Sequence, residues 1–159
     1  MKNSIRENTI EIIDILKKRK QTITFAESCT GGRIASAFTS ISGASAVLNG
    51  SVVSYANKIK SKWLGVKEQT LMRYGAVSSQ CVEEMLRGVV RMADAEHGIA
   101  VSGVAGPSGG TAEKPVGTVY IGVMVNGEIS VEHCFFKGDR GSIQEQSTDH
   151  AIALFKNKM

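Results

Sequence analysis

The chain has 159 residues, 42% of them hydrophobic and 21% charged, as is typical of one soluble globular domain, which we expect to cover residues 1–159. A net charge of +4, only 6% aromatic residues and no alternation of basic with aromatic residues argue against a nucleic-acid partner. No apolar run approaches the roughly 20 residues of a membrane-spanning helix, and the N-terminus begins a charged amphipathic segment. We therefore expect no membrane partner and a cytoplasmic location.

Helix and strand alternate in the first part of the chain. Residues 4–19 are predicted to form a helix, because apolar residues recur at helical spacing and basic residues lie at its C-terminal end. Residues 22–27 are predicted to form a short strand rich in β-branched side chains, and residues 33–40 a helix. A second strand is expected over residues 47–55.

The second part of the chain begins with the clearest helix, over residues 79–96. It has one apolar face, and Gly98 follows its end as a left-handed cap. Residues 99–102 are a short apolar run typical of a buried strand. Residues 117–125 and 129–136 flank an Asn-Gly pair, which favours a hairpin. A last helix is expected to begin after Asp139.

This order of elements predicts an α/β protein with a mixed sheet and helices on both faces. In such sheets, ligands bind where loops leave the strand ends. We therefore expect functional residues in the loops that follow residues 22–27, 47–55 and 99–102.

The first loop brings polar side chains and paired glycines together before a helix. Ser28 and Thr30 precede Gly31 and Gly32. Paired glycines let the backbone approach a ligand closely, and a helix N-terminus presents free N–H groups to an anion. The alternative is an ordinary capped helix start, because Ser, Thr and Gly are all favoured there. The sequence leaves open whether Glu27 takes part in chemistry or only holds this loop.

The third loop is long and rich in glycine, and it contains both prolines of the chain, Pro107 and Pro115. Long loops inside compact domains are usually functional. The loop is not a Walker loop, because no Gly-Lys-Ser/Thr follows, and its glycine spacing does not fit a dinucleotide-binding fingerprint. We therefore interpret it as a ligand-binding loop of another kind.

The second loop supplies an aromatic ring, an amide and two ammonium groups, from Tyr55, Asn57, Lys58 and Lys60. For most lysines, a solvated surface charge is the better explanation. However, a buried lysine has a lowered pKa and can act as a base. This matters here because the histidines that could serve a Ser-His-Asp triad do not stand at loop tips.

Metal-dependent chemistry has little support in the sequence. The histidines lie far apart, and there is no His-x-x-x-His or Cys-x-x-Cys pair. Three cysteines, an odd number spread along the chain, argue against a disulfide framework. We expect no cofactor and no metal in the reaction.

Together, these segments resemble the CinA C-terminal domain family, the nicotinamide-nucleotide amidases. The resemblance covers nearly the whole chain, and no single segment would be specific by itself. The matching segments are Ala26-Glu27-Ser28-Cys29-Thr30-Gly31-Gly32, Tyr55-Ala56-Asn57-Lys58-Ile59-Lys60, Leu64-Gly65-Val66, Gly75-Ala76-Val77-Ser78, Ser102-Gly103-Val104-Ala105-Gly106-Pro107, Lys114-Pro115-Val116-Gly117-Thr118-Val119-Tyr120 and Gly138-Asp139-Arg140.

The resemblance implies a three-layer α/β/α sandwich and hydrolysis of nicotinamide mononucleotide to nicotinate mononucleotide and ammonia. It implies Ser28 as nucleophile and Lys60 as base, with Tyr55 beside them. Cys29 is the rival nucleophile, because a thiol near a helix N-terminus can have a lowered pKa.

The partner we expect is therefore a small phosphorylated nucleotide, with a homo-oligomer left open. The backbone of the first loop is expected to supply oxyanion donors, and Arg140 to bind the phosphate. The residues predicted to bind substrate are Thr30, Gly31, Gly32, Ser45, Asn57, Ser102, Gly103, Gly106, Gly109, Gly110, Thr111 and Arg140.

One position departs from the family pattern. Gln144 stands where the family usually has a second arginine, so a cation is lost near the expected substrate. This leaves an alternative function open, a non-catalytic or differently specific binder of a phosphorylated metabolite on the same fold. Release of ammonia from nicotinamide mononucleotide distinguishes the two.

Overall fold

The computed structural model describes residues 2–159, which contain a five-stranded sheet and six α-helices. The strands are β1 (Ile23–Glu27), β2 (Leu48–Val53), β3 (His97–Gly103), β4 (Thr118–Val125) and β5 (Glu128–Phe135). The helices are α1 (Asn3–Arg19), α2 (Arg33–Thr39), α3 (Asn57–Leu64), α4 (Glu68–Tyr74), α5 (Ser79–Ala93) and α6 (Arg140–Lys158).

The sheet is mixed, in the order β2-β1-β3-β4-β5. β1 lies parallel to both β2 and β3, whereas β4 pairs antiparallel with β3 and with β5. The carboxyl ends of β1, β2 and β3 therefore meet at one edge of the sheet, where their following loops come together. The mixed α/β sheet predicted from the sequence is confirmed.

Helices cover both faces of the sheet, which gives three layers. On one face, α1, α2 and α6 pack over a large apolar cluster that includes Ile12, Phe25, Phe38, Ile121 and Phe155. On the other face, α5 dominates a smaller cluster around Met85 and Leu86. The clean apolar stripe on α5 explains why its helix was evident in the sequence.

Three local differences from the sequence predictions have clear causes. α5 ends at Ala93, and Asp94, with φ of 50°, forms the left-handed cap expected at Gly98. Gly98 lies instead inside β3, where a Cβ would meet Val90 and Leu86. The third difference is the region of α3 and α4, where the sequence predicted no helix; α3 begins at Asn57 within the segment interpreted as a loop.

α6 begins as expected, because the side chain of Asp139 accepts a hydrogen bond from the N–H of Ser142. Within residues 2–159, no helix is long and apolar enough to cross a membrane.

Candidate active site

A cleft of about 470 Å³ opens at the carboxyl ends of β1, β2 and β3. This is the edge of the sheet at which the sequence predicted function. Its size is within the range usual for small-molecule sites. The residues that line it are Ser28, Cys29, Tyr55, Asn57, Lys60, Ala76, Val77, Ser102, Gly103, Val104, Ala105, Gly106, Ser108, Gly109 and Arg140.

Ser28 follows directly after β1 and is fixed by the sheet. Its backbone N–H donates to the carbonyl of Val101, which extends the pairing of β1 with β3 by one residue. The residue is only 8% exposed, so little of its side chain reaches water. Its hydroxyl is therefore held in one place at the floor of the cleft.

Lys60 lies on the buried face of α3, 1% exposed. Its Nζ is 3.1 Å from Oγ of Ser28, 2.7 Å from the carbonyl oxygen of Ser54 and 3.1 Å from that of Tyr55. Lys58, on the same helix, is exposed to solvent. The helix thus separates the two lysines and directs only Lys60 towards Ser28.

Burial lowers the pKa of the Lys60 ammonium from its ordinary 10.5, because removal from water disfavours the charged form. A neutral amine has two N–H donors and one lone pair. Its two N–H groups match the two carbonyl oxygens, and its lone pair can then accept the hydroxyl proton of Ser28. The surroundings of Lys60 suit a base.

Cys29 also lines the cleft, but its thiol has a raised pKa and is therefore poorly suited to act as a nucleophile. Burial raises the pKa of the Cys29 thiol to about 12, with a further contribution from the nearby negative charge of Glu27. Since the thiolate is the nucleophile, almost none is present near neutral pH. The helix N-terminus that could have lowered this pKa is occupied by another group.

That group is the carboxylate of Glu27, which is fully buried. It accepts hydrogen bonds from the hydroxyl of Thr30 and from the N–H groups of Gly32, Ile34 and Ala35. These are the free donors at the start of α2, and a carboxylate there is favoured by the helix dipole. Glu27 therefore holds the first loop and saturates the helix N-terminus.

Two N–H groups of the segment predicted to bind substrate, Thr30-Gly31-Gly32, are therefore already bonded within the fold. The N–H of Gly31 donates to the carbonyl of Ser28, that of Gly32 donates to Glu27, and the side chain of Thr30 is buried against the same carboxylate. The positive φ of both glycines, 60° and 94°, serves the tight turn into α2.

Free donors do exist beside Ser28. Within residues 2–159, the backbone N–H groups of Cys29 and Thr30 have no hydrogen-bond acceptor. They follow immediately after Ser28 in the chain, and Cys29 lines the cleft.

The third loop presents a second set of free backbone donors. None of the N–H groups of Ala105, Gly106, Ser108, Gly109 and Gly110 has an acceptor among residues 2–159. Gly106 adopts a φ of 78°, and a Cβ there would collide with the side chain of Val116. The glycines therefore keep this backbone open and close to the cleft.

Arg140, the first residue of α6, closes one side of the cleft. Its guanidinium donates to the carbonyl of Gly106 at 2.7 Å and to the hydroxyl of Tyr55 at 2.8 Å. Five N–H donors are available on a guanidinium, so several remain for an anion. Tyr55 is 60% exposed and forms the mouth of the cleft.

Other predicted site residues divide between the cleft and the surface. Asn57, Ser102, Gly103, Gly106 and Gly109 line the cleft as expected. Ser45, Gly110 and Thr111, which were also predicted to bind substrate, do not line it.

Each of these three has another position in the fold. Ser45 is exposed in a 3-10 turn before β2, at the opposite end of that strand from the cleft. Thr111 belongs to a turn in which it exchanges hydrogen bonds with Lys114. Gly110 packs against the backbone of Val116.

Ala76, Val77 and Ser108 also line the cleft, although they were not among the predicted site residues. Signals existed for all three, because the first two lie in a segment that matches the family and Ser108 lies in the glycine-rich loop.

Gln144 does not line the cleft. It is 8% exposed, and its side-chain amide donates to the carbonyl of Cys29 at 2.9 Å. The expectation of a cation missing from the substrate site is therefore not matched by the position of this side chain. Gln144 instead bonds to the backbone of the loop that carries Ser28.

The cleft contains no cluster suited to a metal ion. Over residues 2–159, no group of three His, Cys, Asp or Glu side chains converges there.

The comparison with known proteins agrees with the fold and the motifs. Residues 6–159 match the family model described as the CinA C-terminal domain. A CinA-like protein of Thermosipho melanesiensis is 45% identical over 155 residues, which are 96% of this chain and 39% of that protein. A CinA-like protein of Thermotoga neapolitana is 47% identical over 141 residues, 89% of this chain and 34% of that protein.

Solved structures resemble the chain over nearly its full length. The competence damage-inducible protein A (ComA) of Klebsiella pneumoniae is 35% identical with a TM-score of 0.94, over 98% of this chain and 97% of that one. The competence/damage inducible protein CihA of Agrobacterium tumefaciens is 36% identical with a TM-score of 0.94, over 97% and 94%. Our chain spans little more than a third of the curated relatives, and it belongs to the CinA C-terminal domain family.

Proposed function

We propose that the protein is a metal-independent amidohydrolase that converts nicotinamide mononucleotide to nicotinate mononucleotide and ammonia through Ser28 and Lys60. The observation that supports this most is the 3.1 Å approach of the buried Lys60 Nζ to the Ser28 hydroxyl inside the cleft. A hydroxyl nucleophile needs a neighbouring base, and a desolvated lysine can be one.

In the proposed reaction, Lys60 takes the Ser28 proton as Oγ attacks the carboxamide carbon. The same proton then passes from Lys60 to the leaving nitrogen, and ammonia departs. Water attacks the resulting Ser28 ester, with Lys60 again accepting the proton, and Ser28 is restored as the carboxylic acid leaves. One water is consumed and one ammonia is released in each cycle.

Negative charge develops on the amide oxygen during both attacks, and backbone donors best stabilise it. The free N–H groups of Cys29 and Thr30 are the proposed donors. Thr30 belongs to the first-loop segment predicted to supply such donors, whereas the N–H groups of Gly31 and Gly32 are already bonded in the fold.

A phosphorylated substrate is supported by the other wall of the cleft. The free N–H groups of Ala105, Gly106, Ser108 and Gly109 lie there together with the guanidinium of Arg140. Clustered backbone N–H groups and an arginine are a common arrangement for phosphate recognition. The exposed ring of Tyr55 gives a flat surface on which a pyridine ring can stack.

Release of ammonia from nicotinamide mononucleotide by the purified full chain tests this proposal directly. We expect turnover, and a much lower kcat/KM for the corresponding riboside, because the riboside lacks the phosphate that the 105–110 loop would bind. Saturable binding of the mononucleotide without ammonia release would instead favour the binding-protein alternative.

We predict that exhaustive chelation leaves the amidase activity unchanged, because the cleft holds no metal-ligand cluster within residues 2–159. The measurement is ammonia release before and after treatment with a strong chelator, followed by gel filtration. Loss of activity that zinc or manganese restores would contradict the prediction.

Gln144→Leu is predicted to lower kcat with little change in KM. It removes the donor to the Cys29 carbonyl next to the nucleophile, while the phosphate-binding wall is untouched. Loss of this buried hydrogen bond should also lower the free energy of unfolding by about 1–3 kcal/mol.

Gln146→Leu is the matched control. Its amide, also on α6, bonds to the carbonyls of Lys137 and Ser142, away from the cleft. We expect a change in stability without a change in kcat. A folded Gln144→Leu variant with normal kcat would show that Gln144 does not position the Ser28 loop.

A further inference from the structure

Three side chains with metal-binding atoms meet on the opposite side of β4 from the cleft. Glu132 and Cys134 are two residues apart on β5, so they project from the same face of the strand. His150 projects from α6 towards them. One ligand atom of each residue lies within 4.8 Å of the others.

The chemistry of this set is selective. Thiolate, imidazole and carboxylate together suit zinc and similar transition metals, whereas magnesium and calcium prefer oxygen ligands alone.

The distances fit a tetrahedral ion after small movements. Zinc bonds of about 2.3 Å to sulfur and about 2.0–2.2 Å to nitrogen and oxygen place ligand atoms roughly 3.3–3.6 Å apart. Nε2 of His150 is now 2.7 Å from the carboxylate of Glu132. That pair must open by under about 1 Å, and no other pair must close by more than about 1.5 Å, because all three atoms lie within 4.8 Å of one another.

Such movements cost little free energy because the site is at the protein surface. The side chains of His150 and Glu132 are 41% and 44% exposed, and β5 is an edge strand. Cys134 packs at the rim of the apolar cluster and is half-buried. The His150 ring packs against Phe136, with ring centroids 5.9 Å apart, which restricts its orientation.

We propose that Glu132, Cys134 and His150 bind one zinc-like divalent transition-metal ion, with water in the fourth position. The ion takes the place of the hydrogen bond between His150 and Glu132, and Cys134 binds as the thiolate, its proton passing to solvent. The sequence showed no such site, because the ligands come from two elements that meet only in the fold.

This site is distinct from the cleft. His150 is ten residues beyond Arg140 on α6, which corresponds to about 15 Å along the helix. The metal therefore has no part in the proposed amide hydrolysis, and chelation and metal loading can be examined separately from activity.

The test is titration of the metal-free full chain with Zn²⁺ by calorimetry and with Co²⁺ by absorption spectroscopy. We expect one ion per chain, and a thiolate-to-cobalt charge-transfer band in the near ultraviolet. Cys134→Ser should abolish that band. His150→Gln and Glu132→Gln should each weaken Zn²⁺ binding by at least the roughly 10- to 100-fold that loss of an outer-shell partner costs.

His133→Gln is the matched control, because His133 is exposed on the other face of β5 and stacks on Tyr120 with centroids 4.6 Å apart. It should bind metal like the wild type. Absence of saturable Zn²⁺ binding in the wild type, or equal binding in wild type, His150→Gln and Glu132→Gln, would overturn the proposal. The latter two variants decide the question even if Cys134→Ser does not fold.

Discussion

Ser28→Ala is expected to lower kcat for ammonia release by at least about a thousandfold, the scale seen when a nucleophile is removed. The hydroxyl is held at the cleft floor by the sheet and lies beside the only buried ammonium group among residues 2–159. KM should change little, because alanine fills less space and leaves the anion-binding wall intact. The measurement is steady-state kinetics with a coupled ammonia assay.

Cys29→Ala serves as the control, since Cys29 is the neighbouring residue and the rival nucleophile. Its buried thiol, with its pKa raised to about 12, should contribute nothing to the attack. We expect this variant to keep most of its activity. Alkylation of the Cys29 thiol in the wild type should lower activity only by steric crowding of the cleft. An active Ser28→Ala together with an inactive Cys29→Ala would reverse the assignment.

Lys60→Arg is expected to be as damaging as Lys60→Ala. Arginine keeps the positive charge but does not give up its proton near neutral pH, so it cannot accept the proton of Ser28. An electrostatic role for Lys60 would tolerate the change, whereas a role as base would not. Near-normal kcat in Lys60→Arg would therefore exclude the proposed base.

The pH profile gives an independent measurement of the same role. The active form of Lys60 is the neutral amine, whose fraction grows as the pH rises through the lowered pKa. Wild-type kcat/KM should thus rise with pH and level off above that pKa, below the ordinary 10.5. Lys58→Ala, at an exposed position on the same helix, should keep both the activity and the profile.

Most of the fold could be predicted from the sequence because the strands are short β-branched runs and α5 carries a clear apolar stripe. α3 was not predicted as a helix, because its two buried positions are Leu64 and a lysine, Lys60. A pattern based on apolar periodicity does not recognise a buried ammonium as an inward-facing position.

The site was predicted less completely than the fold, for a physical reason. Ser28 and Lys60 are named by the family motifs, but their 3.1 Å separation depends on how α3, which packs against α5, is placed relative to the end of β1. The role of Glu27 was open in the sequence, because a carboxylate that caps a helix and one that does chemistry follow a strand in the same way. Only the fold shows that the carboxylate of Glu27, and not a ligand, accepts hydrogen bonds from the N–H groups at the start of α2.

The buried position of Lys60 also makes folding and proton release interdependent. In the unfolded chain this lysine titrates near its ordinary 10.5, and in the folded chain its pKa is lower. Between the two values the unfolded chain binds more protons, so the free energy of unfolding gains up to about 1.4 kcal/mol per pH unit as the pH rises. Below the folded pKa the slope from this group disappears and the whole penalty for burying its charge remains. The domain is therefore less stable at pH values below the folded pKa of Lys60, and this is the consequence of holding a buried amine that can accept a proton.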